Sequence, residues 1–325
     1  MTNFTITRGM IEGFETVEVN TGALSLCLIP ELGGKISSLR DLRSGREWLW
    51  RHPRMAYGRV PHGSSYVQMA DTGGWDECFP SVSACAYPSP PWAGAPIQDH
   101  GELWSQPATL AISEAGDGTA LHTRWQGVVL PYTFERTITA TAHSTRLRFD
   151  YLVTSNADAP LHFIWSAHPL VAIEPGMQLR LPPEARFNCL RFERDRAPEF
   201  ERGVRFPLTI RSSSGTLDLA TLPEPSAGVA LKLWSDPCEE GWATLRARDG
   251  ELRMHWDPAR LPQLAVWMNL GAMAFDGGAP YFNMGLEPCI GAQDSLAEAV
   301  ATYHLFELLP PRASRAWWLE VELAG

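Results

Sequence analysis

Apolar and polar residues alternate one for one along most of the chain, the period of a half-buried β-strand. In TRLRFDYLV (145–153), Leu147, Phe149, Tyr151 and Val153 share one face, and in WWLEVEL (317–323) Trp317, Leu319, Val321 and Leu323 do the same. TVEVNTGALSLCLI (16–29) reads as two short strands around a turn. Glycines and prolines punctuate these runs, as in PSPPWAGAP (88–96) and FDGGAP (275–280), which read as loops within a domain. Helical periodicity is scarce. DSLAEAVA (294–301) is the one candidate, where Ser295 and Glu298 have the spacing of a capping box. The pattern predicts an all-β chain, a large β-sandwich formed as a single domain over residues 1–325.

Two runs break the alternation with ionisable residues. In LHFIWSAHPLVAIEPG (161–176), Leu161, Phe163, Trp165 and Ala167 fall on one parity, with His162, Ser166 and His168 on the other. In YFNMGLEPCIGAQDS (281–295), Phe282, Met284 and Leu286 oppose Tyr281, Asn283, Gly285 and Glu287. In both, the ionisable side chain lies opposite the apolar face, so His168 and Glu287 are expected on one face of a sheet, in solvent or in a pocket. Two further stretches exceed what a plain sandwich needs. ADTGGWDECFPSV (70–82) gathers Asp71, Trp75, Asp76 and Glu77 around a Gly-Gly turn, and QDHGELWSQPA (98–108) sets His100 before a glycine with Glu102 and Trp104 behind it. A tryptophan beside carboxylates and histidines, such as Trp75 or Trp104, suits a sugar ring. His52, His62, His122, His143, His255 and His304 have no such surroundings.

Composition narrows the function classes. The formal charge is -10 and the basic residues are 25 arginines and two lysines, Lys35 and Lys232, a balance that argues against nucleic acid as a partner. No uncharged apolar run is long enough for a membrane span, and the start, MTNFTITRGMIEGF, lacks the order of a secretory signal, so a soluble cytoplasmic protein is expected. The six cysteines are scattered without a CxxC pair, which suggests reduced thiols, with neither a zinc site nor a disulfide scaffold.

The order GGW-D-ECFP, then HG, then a strand ending in His, then one ending in Glu-Pro, resembles the galactose mutarotase (aldose 1-epimerase) family, including its glucose-6-phosphate epimerase-like branch. Here 68 residues carry the chain from His100 to His168 and 119 from His168 to Glu287. ELGGKISSLRDLRSGREWLW (31–50) is similar to the family's early hairpin, and the resemblance runs from about residue 14 to the end, departing from the usual continuation at GELWSQPA after His100. It implies a mutarotase-like supersandwich that interconverts α and β anomers of an aldose, with Glu287 as carboxylate base, His168 as imidazolium acid, and His100 bonding the ring oxygen or a nearby hydroxyl. Trp75, Asp76 and Arg40 are the candidates for the sugar-binding shell, and Asp76, Asp236 and Asp257 for an aspartate that holds sugar hydroxyls. The chemistry needs no metal or redox cofactor, and the implied partner is a small carbohydrate, uncharged because the site-like stretches carry carboxylates without a fixed cation. Two other readings stand beside it: a non-catalytic carbohydrate-binding sandwich, and a metal-dependent isomerase or lyase with His100, His168 and Glu287 as ligands.

Overall fold

The computed structural model describes residues 4–193, 197–212 and 215–325. Within these residues, two large antiparallel sheets of eleven and eight strands hold most of the strand residues. The larger runs in the order Thr5–Ile11, Phe14–Asn20, Leu24–Ile29, Lys35–Asp41, Trp75–Cys78, Trp165–Ala172, Phe282–Ile290, Gln263–Leu270, Val229–Ser235, Arg186–Glu193 and Glu199–Arg205. The smaller runs Gln178–Arg180, Trp242–Ala247, Gly250–Trp256, Ser314–Ala324, Arg146–Ser155, Tyr132–Thr141, Gly118–Gln126 and Thr109–Ala115. All six cysteines are free. Among the described residues, no helix is long and apolar enough to cross a membrane.

The sheets meet through the apolar parities read from the sequence. Phe149, Tyr151 and Trp317 of the smaller sheet are buried against Trp75 and Trp165 of the larger, with Trp75 stacked on Phe149 at 4.7 Å and Trp165 tilted against Trp317 at 5.1 Å between ring centroids. Strands at the middle of the larger sheet are buried on both faces, unlike the half-buried strands of the smaller one. One of their faces packs on the smaller sheet, and the other forms the wall of a cavity.

The run around His168 is not one strand. Leu161–Phe163 pairs with Glu307–Leu309 in a separate small sheet, and Trp165–Ala172 begins anew in the large one. Ile164 marks the switch, its N–H donating to the Pro80 carbonyl rather than to a sheet neighbour. The parity survives the break, since Trp165 and Ala167 lie in the inter-sheet core and His168 does not. The expected short helix also forms, with the Ser295 hydroxyl accepting from the Glu298 N–H at 3.4 Å, and Leu296–Glu298 runs on into a π-helical stretch at Ala299–Tyr303.

Between the sheets lies one fully buried ion pair. Arg136 donates to Glu77 at 3.0 Å and to the Gly34 carbonyl at 2.6 Å, while Tyr151 and Trp165 also donate to Glu77. Burial pushes the Glu77 carboxyl up to about 7, although Arg136 and the other donors pull it down. Deleting one partner of such a pair strands the other in the core, at a cost of about 3–5 kcal/mol. Arg136→Met is therefore expected to lose about that much stability in urea unfolding. A loss within the scatter of surface substitutions would show that the pair does not hold the sheets together.

Candidate functional site

Five strands of the larger sheet, with the loops above them, enclose a cavity of about 170 Å³. Its floor comes from alternate residues of neighbouring strands: His168 and Leu170, Asn283 and Glu287, Trp267, Lys232 and Trp234, and Leu190 and Phe192. Asp71, His100, Phe275, Tyr281 and Asp294 close it from the loops. The structure thus brings His100, His168 and Glu287 together from three distant parts of the chain.

Glu287 is fully buried. Its Oε2 accepts from Lys232 Nζ at 2.6 Å and from the Ser166 hydroxyl at 3.4 Å, while its Oε1 has no hydrogen-bond partner in the protein. Gly285 makes room for this arrangement, since a Cβ there would stand 2.5 Å from Oε1. Burial raises the Glu287 pKa and Lys232 opposes it, and the balance leaves the group a stronger base than an exposed glutamate. Lys232 also lies 3.6 Å from Asp294, whose Oδ1 accepts from the Trp234 indole at 3.0 Å. Burial would strip the lysine of its proton, but Asp294 and Glu287 outweigh it and hold the ammonium form.

His168 sits on the strand next to Glu287 and is 7% exposed. Burial depresses its pKa well below 6.5, and the neighbouring His100, Lys232 and Lys35 add to the effect. The imidazolium expected from the sequence is therefore corrected: His168 is a neutral ring near pH 7, and its Nδ1 has no partner in the protein. His100 reaches the cavity from a turn in which both His100 and Gly101 have positive φ. Gly101 is required there, because a Cβ would fall 2.1 Å from the Phe79 carbonyl oxygen. Asp99 Oδ1 holds His100 Nδ1 at 2.7 Å, and Tyr66 stacks on the ring at 4.1 Å.

The other sequence candidates fall elsewhere. Along Trp75–Cys78, successive side chains alternate between faces, and Trp75 takes the inter-sheet side against Phe149, so it is no platform for a ligand in this cavity. Asp76 takes the cavity side, opposite His168 in the register, but Tyr66 covers it. There it pairs with Lys35, accepts from the Tyr66 hydroxyl at 2.6 Å, and lines a smaller cavity of about 70 Å³ behind that ring. Arg40 is exposed on the strand Lys35–Asp41 and lines neither cavity. Asp236 lines a separate surface groove and Asp257 caps a turn through the Ala259 N–H. Trp104 donates its indole N–H to the Asp99 carbonyl and packs on Tyr66 without lining the cavity.

Asp71, Lys232, Asn283 and Asp294 are among the polar residues of the wall that sequence reasoning did not assign. Lys232 had a signal in the composition: with arginine used for nearly every cation, both lysines are buried and paired with carboxylates, Lys35 with Asp76 and Lys232 with Glu287.

The depressed pKa of His168 has a consequence for stability. Below about 6.5 the unfolded chain binds a proton that the folded protein refuses, so this contribution is lost as pH falls through the unfolded value. Asp71 and Glu77, raised to about 6 and about 7, act in the opposite sense, since the folded state binds their protons first as pH falls. The difference between wild type and His168→Asn isolates the histidine. From pH 7.5 to 5.5, the wild-type Tm is expected to fall further than that of the variant, and parallel Tm profiles would contradict a buried neutral His168.

No family model and no curated relative matches the chain by sequence. Solved structures match over nearly its whole length. A Klebsiella pneumoniae protein provisionally named an aldose 1-epimerase is similar at a TM-score of 0.70 and 14% identity, over 100% of this chain and 84% of that one. A galactose mutarotase-like protein from Clostridium acetobutylicum is similar at 0.69 and 11%, over 99% of each chain. Another from Lactobacillus casei is similar at 0.64 and 15%, over 95% of this chain and 99% of that one. At such identities the likeness is one of architecture, and with the two-sheet topology it shows that this chain has the galactose mutarotase-like fold.

Proposed function

We propose that the protein is an aldose 1-epimerase-like enzyme that interconverts the α and β anomers of an uncharged sugar. The observation that carries this reading is a set of buried polar atoms left without partners on the wall of one cavity: Asp71 Oδ1, His168 Nδ1, Asn283 Oδ1 and Glu287 Oε1. Folded proteins pair nearly all buried polar groups, so four open ones around one space call for a ligand rich in hydroxyls. Trp267, Phe275 and Tyr281 add aromatic surface of the kind that covers a sugar's C–H face.

Anomer exchange opens the hemiacetal ring. A base takes the proton from the C1 hydroxyl, the C1–O5 bond breaks to leave an aldehyde, and the ring oxygen receives a proton. Glu287 Oε1 is the base, because Lys232 and Ser166 occupy only Oε2 and burial raises the basicity of the carboxylate. His168 is the donor to the ring oxygen and acts from its neutral form, as a polarising N–H that yields its proton while the oxygen gains charge. After rotation about C1–C2, the ring closes on the other face and both transfers reverse. His100, held by Asp99, bonds the ring oxygen or the adjacent hydroxyl.

Charge supports the uncharged substrate. Among the described residues, the cavity wall has three carboxylates, Asp71, Glu287 and Asp294, against one lysine already engaged by two of them, and no arginine lines it. A sugar phosphate would meet repulsion without a free cation to offset it. Anomer-exchange NMR over a panel of aldoses and sugar phosphates tests the proposal. Exchange accelerated by catalytic amounts of protein is expected for at least one neutral aldose. Acceleration confined to phosphates would overturn the substrate class, and none anywhere in the panel would remove the activity.

A further inference from the structure

Beside the proposed acid stands a thiol that the anomer-exchange chemistry does not use. Cys78 is fully buried on the strand next to that of His168. Its register partner is Ser166, two residues from His168, so the Cys78 and His168 side chains occupy the same face as diagonal neighbours. His100 joins them from its turn, and one ligand atom from each of the three residues lies within 4.8 Å of the other two. The rings of His100 and His168 meet edge to face at 4.8 Å between centroids.

We propose that Cys78, His100 and His168 form a binding site for a thiophilic divalent cation of the Zn²⁺ class, and that filling it arrests the enzyme. One thiolate and two imidazoles suit Zn²⁺ or Co²⁺ and not the oxygen-seeking Mg²⁺ or Ca²⁺, and three protein ligands leave a fourth tetrahedral position open. Two features beyond proximity support the site. His168, 93% buried, has a ring nitrogen with no partner in the protein. Asp99 grips His100 Nδ1 at 2.7 Å, the carboxylate-to-histidine contact that orients a ligating imidazole. Burial keeps the Cys78 thiol protonated, so capture of M²⁺ forms the sulfur–metal bond and releases the thiol proton to water. Glu287 is not a member, because none of its oxygens falls within the group and Lys232 occupies its Oε2. The metal would occupy both histidines, and the arrest therefore rests on the proposed anomer exchange, whereas the binding does not.

Co²⁺ added to the apoprotein reads out the site without any activity, through the near-ultraviolet charge-transfer band of a cobalt thiolate. The band is expected in wild type and in Cys85→Ser/Cys238→Ser, which removes the two partly exposed thiols, and is expected to be lost in Cys78→Ser. Should Cys78→Ser fail to fold, Asp99→Asn decides, with an expected loss of about 10-fold or more in Co²⁺ affinity. No band in wild type, a band that survives Cys78→Ser, or unchanged affinity in Asp99→Asn would overturn the site. Zn²⁺ is then expected to stop exchange in wild type, and full exchange at saturating Zn²⁺ would overturn the arrest. A protein that shows the cobalt band but exchanges no sugar would keep the metal site and discard the enzymatic reading.

Discussion

The arrangement of the molecule depends on strands that have two buried faces of opposite chemistry. On Trp75–Cys78, Trp75 and Glu77 enter the inter-sheet core while Asp76 and Cys78 lie under the cavity. On Trp165–Ala172, Trp165 and Ala167 pack inward and His168 faces the cavity, and on Phe282–Ile290 the same division sets Met284 and Leu286 against Asn283 and Glu287. Since side chains on a strand alternate strictly, a slip of one residue in any of these would exchange core for site. Packing of the large aromatics against the smaller sheet thus also fixes where the polar groups of the cavity point.

Such a site must keep charge where water is scarce. Glu287 is wholly buried, and a lone carboxylate there would take up a proton and cease to be a base near pH 7. Lys232 prevents this with a contact at 2.6 Å, and Asp294 keeps Lys232 charged in turn. The pair occupies one oxygen of Glu287 and leaves the other without a partner, so the interaction that offsets burial also orients the carboxylate. Lys35 and Asp76 repeat the device behind Tyr66, where the charge supports the ring that stacks on His100. Lysine suits both places because its compact ammonium can bridge short gaps that a planar guanidinium would not fill.

Much of this was legible in the chain because it follows from period-two alternation. The sandwich, the strands Arg146–Ser155 and Ser314–Ala324, and the opposition of His168 and Glu287 to apolar faces all come from parity. Parity does not say which face a lone strand residue meets, and that is why Trp75 reads as a sugar platform when it is a core residue stacked on Phe149. Nor does it report what long-range folding adds. Lys232 reaches Glu287 across 55 positions of sequence, and Asp71 and Asp294 arrive on loops. The charge state of His168 was out of reach for the same reason, since it is set by burial and by ionisable groups from three separate segments.

The central claim is that Glu287, held charged by Lys232, moves the anomeric proton. It is tested most directly by comparing wild type with Glu287→Gln in anomer-exchange NMR on the best neutral aldose, with circular dichroism to confirm folding and calorimetry to measure binding. Glutamine keeps the shape of the side chain but cannot take the proton. The account predicts a folded variant that still binds the sugar and exchanges it roughly 10²-fold or more slowly. A folded variant with undiminished exchange would contradict it.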